Sequence, residues 1–136
     1  MVQNELNQET FPYRHFVIDD FNVYIGKNDR QNDELSLVFG RPWDIWMHVS
    51  SHAGSHVILR REKGAAWPSP ETLEKTASLA AWFSKCRNAR IVKVHVTEIR
   101  NVHKQKNAPP GEVQIQKFKT LRVTPFSPEA MFLPRQ

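Results

Sequence analysis

Two β-rich stretches surround an Asp-Asp pair in the segment Phe16–Ile25, which reads FVIDDFNVYI. Short Asx side chains bond to nearby backbone groups and favour turns, whereas the flanking Val, Ile, Phe and Tyr residues favour extended structure. The segment therefore predicts a β-hairpin, and we expect the fold to begin with it.

The residues after the hairpin predict a helix. Gly26 ends the second strand, and Asn28 can then cap a helix that extends to about Phe39. The spacing of Leu35, Val38 and Phe39 predicts that all three face inward.

Two further strands and a second helix are expected downstream. The apolar, β-branched runs Ile45–Val49 and His56–Arg60 are separated by a small polar linker. The second helix has the clearest local signal, since Ser69 suits the N-cap and Pro70 the first helical position. An Ala-rich segment then continues to about Cys86.

The last third of the chain predicts more strands. Ile91–Ile99 alternates so that three valines share one face, which we expect to be buried. A basic loop over Asn101–Gly111 follows, and Val113–Val123 supplies one or two final strands. The order β-β-α-β-β-α-β-β predicts an α+β domain in which two helices cover one face of a mainly antiparallel sheet.

Length and composition fit one globular domain. The chain has 136 residues, of which 40% are hydrophobic and 24% charged, a balance unlike that of a disordered chain. We expect a flexible N-terminal arm over residues 1–12, a single domain over residues 13–125 and an irregular tail over residues 126–136.

The charge favours a polyanionic partner. Lys and Arg number 19 against 14 Asp and Glu, a net charge of +5, and the basic excess lies mainly from Lys85 onward. No apolar run of about 18 residues and no signal-peptide pattern is present, so we expect a cytoplasmic protein without a membrane partner. Cys86 alone can form neither an internal disulfide nor a Cys-based metal site, and no cofactor is expected.

A polar block at the start of the first predicted helix has the chemistry of an RNA contact. Cations can pair with phosphates and amides can read base edges. The candidates are Lys27, Asn28, Arg30, Gln31 and Asn32. The structural alternative is that Asn28 only caps the helix and Asn32 only tethers a neighbouring loop.

A second candidate group surrounds three histidines that recur every fourth residue. Its members are Asp44, Trp46, His48, His52, Ser55 and His56. This spacing converges on a metal only on a helix, whereas the flanking residues here predict strand-loop-strand, so we expect no metal. The rings can instead line a groove that contacts RNA. Alternatively, Asp44 forms a structural hydrogen bond to a histidine beneath Trp46.

Other cations and aromatic residues extend these candidates. The basic loop contributes His103, Lys104 and Lys106, and its Pro-Pro-Gly end suits a stiff hairpin tip against a nucleic-acid backbone. Trp43 and Trp67 lie beside prolines, and exposed indoles of this kind can stack on unpaired bases.

Five segments, in order, resemble the RNA-binding domain of the NFACT family, NFACT-R, the C-terminal module of RqcH-type ribosome quality-control factors that are also called fibronectin-binding proteins. They are Gly26–Asp33, Asp44–Val49, Gly54–Ile58, Ala77–Ser84 and Lys104–Val113. The resemblance covers roughly residues 13–125. The hairpin turn lacks the glycine usual in the family, and His103 stands where a Lys is common.

The resemblance implies a free-standing, non-catalytic module that binds structured RNA, either tRNA or rRNA, in translation or ribosome-associated quality control, with the ribosome as a further candidate partner. Two alternatives remain open at this point. One is a small metal-dependent or acid-base hydrolase or RNA-processing enzyme that uses Asp44 and the three histidines, and the other is a protein-interaction adaptor that docks through Trp43 and Trp67.

From the sequence alone, reversing the charge of Lys104 and Lys106 to Glu is expected to weaken RNA binding without lowering the melting temperature. Unchanged affinity in a binding titration would remove the loop from the site.

Overall fold

The computed structural model describes residues 11–131. Its strands are β1 (Arg14–Ile18), β2 (Phe21–Ile25), β3 (Ile45–Val49), β4 (Val57–Leu59), β5 (Val92–Glu98), β6 (Val102–His103), β7 (Gln114–Ile115) and β8 (Lys119–Val123). Its helices are α1 (Asp29–Glu34), a π-helical turn that continues it (Leu35–Phe39), α2 (Pro70–Trp82), a 3-10 turn (Ile99–Asn101) and the single turn α3 (Pro128–Met131). The α+β class is confirmed, and the elements follow the predicted order, with the short hairpin β6–β7 and α3 added.

Six strands form one antiparallel sheet in the order β1-β2-β4-β3-β5-β8, while β6 and β7 form a separate hairpin. The predicted hairpin β1–β2 is present, and its turn residues Asp19 and Asp20 have φ angles of 49° and 73°. Both lie in the left-handed region that Asx residues tolerate and that two-residue hairpin turns require.

Helix α2 covers one face of the sheet, where its Ala and Leu side chains pack on the valines of β5 and on inward residues of β2, β3 and β4. Ser69 caps it as predicted by accepting a hydrogen bond from the backbone N–H of Thr72 at 3.2 Å. The helix ends at Trp82 rather than near Cys86, because Ser84 forms a β-bridge with Gly54 and draws the chain away.

The first helix lies on the opposite face of the sheet, so the expectation that both helices cover one face is wrong. Leu35 is buried there beside Trp46, whereas Val38, expected to face inward, is 78% exposed. The cause is the π-helical turn, in which Gly40 N–H donates to Leu35 O, five residues back, and shifts the inward face.

The predicted N-terminal arm and C-terminal tail are only partly covered by the described residues. The arm predicted over residues 1–12 lies mostly outside the described residues, but the Phe11 ring meets Tyr24 and Phe39 edge-on at 5.6 and 4.7 Å. The tail predicted as irregular contains the single turn α3, and residues 132–136 lie outside the description. Within residues 11–131, no helix is both long and apolar enough to cross a membrane.

Gly26 offers a test of how tightly α1 is attached to the sheet. A Cβ at this position would lie 2.1 Å from Asn32 Oδ1, which itself accepts a hydrogen bond from His56 N–H. We expect Gly26→Ala to lower the free energy of unfolding by about 1–3 kcal/mol through this overlap. Urea denaturation measures the change, and an unaltered midpoint would contradict the packing described.

Candidate nucleic-acid interface

A buried chain of hydrogen bonds underlies the surface that holds most of the candidate residues. Trp46 Nε1–H donates to Ser36 Oγ at 2.8 Å, and Ser36 Oγ lies 2.7 Å from His56 Nδ1. His56 Nε2 lies 3.0 Å from Gly111 O. Because a carbonyl only accepts, Nε2 carries the proton and Nδ1 accepts from the Ser36 hydroxyl. The chain thus joins β3, the π-helical turn, the residue before β4 and the loop before β7.

His56 is neutral in this arrangement. Burial and the neighbouring His48 ring lower the pKa of His56 from 6.5 to about 4. Both ring nitrogens are already used by neutral partners, so the imidazole is a structural link rather than a proton donor at neutral pH.

The basic loop is attached to α1 through Asp33. Gly111 N–H donates to Asp33 Oδ1 at 3.0 Å, and Lys104 Nζ lies 3.1 Å from Asp33 Oδ2. The same ammonium group donates to the carbonyl oxygens of Pro109 and Glu112. The ammonium group of Lys104 is therefore paired and hydrogen-bonded within the protein, whereas Lys106 at the loop tip is exposed.

Asp44 also has a structural role. It is fully buried and accepts from Arg60 Nη2 at 2.9 Å, from Arg41 N–H and from Arg61 N–H. The expectation of an Asp44–histidine hydrogen bond is wrong, because these partners occupy both carboxylate oxygens. Within the described residues, no group of three or more His, Cys, Asp or Glu side chains could hold a metal ion.

Four cations surround a cleft of about 350 Å³, which we call the cationic cleft. They are Arg14, Lys27, Lys85 and Arg87. Two backbone hydrogen bonds build it, from Ser55 N–H to Phe83 O and from Lys85 N–H to Ala53 O, both at 2.9 Å. These bonds join the loop before β4 to the end of α2, and Gly26 N–H, which donates to His56 O at 3.1 Å, brings the segment after β2 to the same loop. Residues far apart in sequence therefore line one site.

The two arginines of the cationic cleft are held by aromatic rings. The Arg14 guanidinium lies 4.7 Å from the Phe83 ring centre, and that of Arg87 lies 4.6 Å from the ring of Trp82. Such contacts orient a guanidinium while leaving its outer N–H groups for an anion. Asp29 also lines the cleft. With four cations against this one carboxylate, the cationic cleft has a clear excess of positive charge.

A larger cleft of about 710 Å³, the histidine cleft, lies on the other side of the loop 51–53. His48 and His52 line it, together with His95 and Phe118. His48 stacks on Trp46 with ring centres 6.0 Å apart, and burial lowers its pKa. His52 is exposed, with Nδ1 3.0 Å from Ser50 O.

The structure sorts the remaining candidates by position. Asn32, Trp46 and His56 are buried, Trp46 to 2% exposure, and form inner walls: Asn32 of the cationic cleft, Trp46 and His56 of the histidine cleft. Lys27, Asn28, Asn32 and Ser55 line the cationic cleft. Neither cleft includes Arg30, Gln31, His103, Lys104 or Lys106. Trp43 and Trp67, expected to be exposed, are half-buried under Lys63 and Arg61 respectively.

Sequence reasoning missed Arg14, Lys85 and Arg87 in one cleft and His95 and Phe118 in the other. Lys85 and Arg87 directly follow the segment that resembles the family's helix end, which was the available signal. Arg14 reaches the site across the sheet, and no local pattern marks such a contact.

Comparison with known proteins identifies the family to which this chain belongs. The family model described as "NFACT protein RNA binding domain" matches residues 11–117, most of the chain. The protein belongs to this family. The motif segments of NFACT-R noted in the sequence are those that meet at the two clefts.

Longer bacterial proteins contain the same domain. The chain is 35% identical over 124 residues to the Rqc2 homolog RqcH of Streptococcus suis, covering 90% of this chain and 22% of that protein. It is 38% identical over 103 residues to RqcH of Bacillus subtilis, with 76% and 17% covered. The chain thus spans about a fifth of these relatives.

A solved structure shares the fold. The C-terminal part of the fibronectin/fibrinogen-binding protein from Streptococcus suis matches with a TM-score of 0.77 and 35% identity, covering 84% of this chain and 46% of that one.

The contacts of Lys104 change the expectation for the basic loop of this NFACT-R domain. Lys104→Glu places a carboxylate against Asp33 and two carbonyl oxygens, so we expect the free energy of unfolding to fall by about 1–3 kcal/mol. The matched variant Lys106→Glu is expected to stay within about 0.5 kcal/mol of the native protein. Equal urea midpoints for the two variants would show that the Lys104 contacts carry no stability.

The neutral His56 predicts a pH dependence. Its folded pKa of about 4 lies below the ordinary 6.5, so between these values the unfolded chain binds a proton that the folded protein does not. Stability is fully present above pH 6.5 and falls toward pH 4, by an amount on the order of 3 kcal/mol. The lowered pKa of His48 acts in the same direction.

Urea midpoints of the native protein and of His56→Gln, measured at several pH values across this range, test the assignment. The variant is expected to be less stable at neutral pH but to lose less stability on acidification. Parallel pH curves would assign the pH dependence to other groups.

Proposed function

We propose that this NFACT-R domain binds structured RNA, tRNA or rRNA, by pairing backbone phosphates with the cationic cleft. The observation that carries the proposal is the convergence of Arg14, Lys27, Lys85 and Arg87 on one cleft. Phosphate contacts supply most of the affinity of RNA-binding surfaces and need cations that are free to face outward. Lys27 and Lys85 are exposed, and no protein carboxylate is paired with the two arginines in the ion pairs of the described residues.

The proposed setting is ribosome-associated quality control in the cytoplasm. The support is the similarity to proteins named Rqc2 homolog RqcH, of which this chain matches about a fifth. The role is non-catalytic, since recognition of phosphates and bases explains the exposed groups without a nucleophile or general base.

Binding of labelled tRNA between about 50 and 300 mM salt tests the proposal. Four phosphate contacts predict a slope of log affinity against log salt of about −3 to −4. Lys27→Gln and Lys85→Gln are each expected to weaken binding and to reduce the slope by about 1. Both side chains are exposed, and neither takes part in the ion pairs of the described residues, so stability should be unaffected.

The matched control is Lys63→Gln. Lys63 lies after β4 and does not line the cationic cleft. The ammonium group of Lys63 lies 5.5 Å from the Trp43 ring centre. The control is expected to bind like the native protein. Equal weakening by all three substitutions would indicate diffuse attraction instead of a site, and an absence of tRNA binding at the lowest salt would overturn the proposed function.

A further inference from the structure

One part of the sheet is left open beyond Trp46, on the face that carries α1. The strand register aligns His48 of β3 with His95 of β5 and His95 with Thr120 of β8. These three side chains form a row across the open face, and His95 Nδ1 lies 3.2 Å from Thr120 Oγ1. The row forms the floor of the histidine cleft.

Flat rings stand along this row. The His48 ring is stacked on the buried Trp46, and the Phe118 ring meets His95 with ring centres 4.4 Å apart. Phe118 is 44% exposed although it belongs to the large apolar residues that folded proteins usually bury. The cleft therefore offers partly exposed ring faces that the fold itself does not cover.

The histidine cleft is connected to the cationic cleft. A groove of about 570 Å³ contains Ser51 and His52, which also line the histidine cleft, and Lys85, which also lines the cationic cleft. Lys93, exposed and two residues before His95, lies in the same groove. Cations thus lead from one cleft to the other along the surface.

The rim of the histidine cleft differs in chemistry from this track. Glu112 lines it, and a carboxylate repels a phosphate but accepts hydrogen bonds from the amino groups of bases. The cations of the groove favour the backbone, while the rings and the carboxylate favour a base.

We propose that the histidine cleft takes an unpaired nucleobase of an RNA whose backbone follows the groove from the cationic cleft. The Phe118 ring face stacks on the base, the His95 ring, tilted by 62° to that of Phe118, packs against the edge of the base, and Lys93 pairs with a phosphate beside it. A base inside a duplex cannot reach this floor, whereas a base in a loop or a single strand can. The proposal rests on the proposed function and adds to it the class of nucleotide that is recognised.

The test compares a labelled single-stranded RNA of about ten nucleotides with the same strand annealed to its complement. The native protein is expected to bind the single strand more tightly. Phe118→Ala and His95→Ala are each expected to weaken single-strand binding by about fivefold or more and to leave duplex binding unchanged. Phe118→Tyr keeps the ring face and is expected to retain native affinity.

Phe126→Ala is the matched control, because Phe126 is 50% exposed and does not line the cleft. The proposal is overturned if Phe118→Ala and His95→Ala bind the single strand as Phe126→Ala does. It is also overturned if Phe118→Ala weakens single-strand and duplex binding equally. These results are separable from the proposed function, which depends on tRNA binding and on its loss in Lys27→Gln.

Discussion

The interior position of His56 is the constraint on which the rest of this domain depends. Its ring is buried, neutral and bonded on both sides, to Ser36 and to Gly111. Ser36 lies in the π-helical turn Leu35–Phe39, which places its hydroxyl 2.7 Å from His56 Nδ1. One imidazole therefore links the first helix, the sheet and the basic loop, and removing either partner would leave a buried polar group unsatisfied.

The same link shapes the surface. Asn32 and Asp33 hold the backbone at His56 and Gly111, so α1 cannot shift relative to β4 or to the loop. The loop before β4 is held on its other side by the end of α2, through Ser55 and Phe83. The two clefts lie on either side of this fixed loop. Their separation and orientation follow from buried contacts, while their lining residues remain exposed.

Local signals were sufficient to predict most elements of the fold, though not the short hairpin β6–β7 or α3. Asp19 and Asp20 marked a turn that both residues adopt, and Ser69 marked a helix start that the structure retains. The inward face of the first helix was predicted wrongly at Val38, because a helical period of 3.6 residues was assumed where the chain forms a π-helical turn.

Partners distant in sequence account for most of what could not be predicted in the candidate site. Lys104 and Asp33 are 71 residues apart, and nothing near either residue indicates that they pair. Asp44 was assigned to the histidines by proximity in sequence, but the partners of its carboxylate are Arg41 in the loop before β3 and Arg60 and Arg61 just after β4. Arg14 and Phe118 reach the two clefts only when the sheet is assembled, so no local sequence pattern marks either residue.

The most direct test of the account is to map where RNA touches the protein. Amide chemical shifts, followed by NMR during titration with tRNA, report contacts along the whole backbone. The account predicts that the largest changes cluster at residues 27–29, 53–55 and 83–85 and at Arg87, which line the cationic cleft. Changes centred on the outer face of α2, or spread over all exposed cations alike, would contradict it.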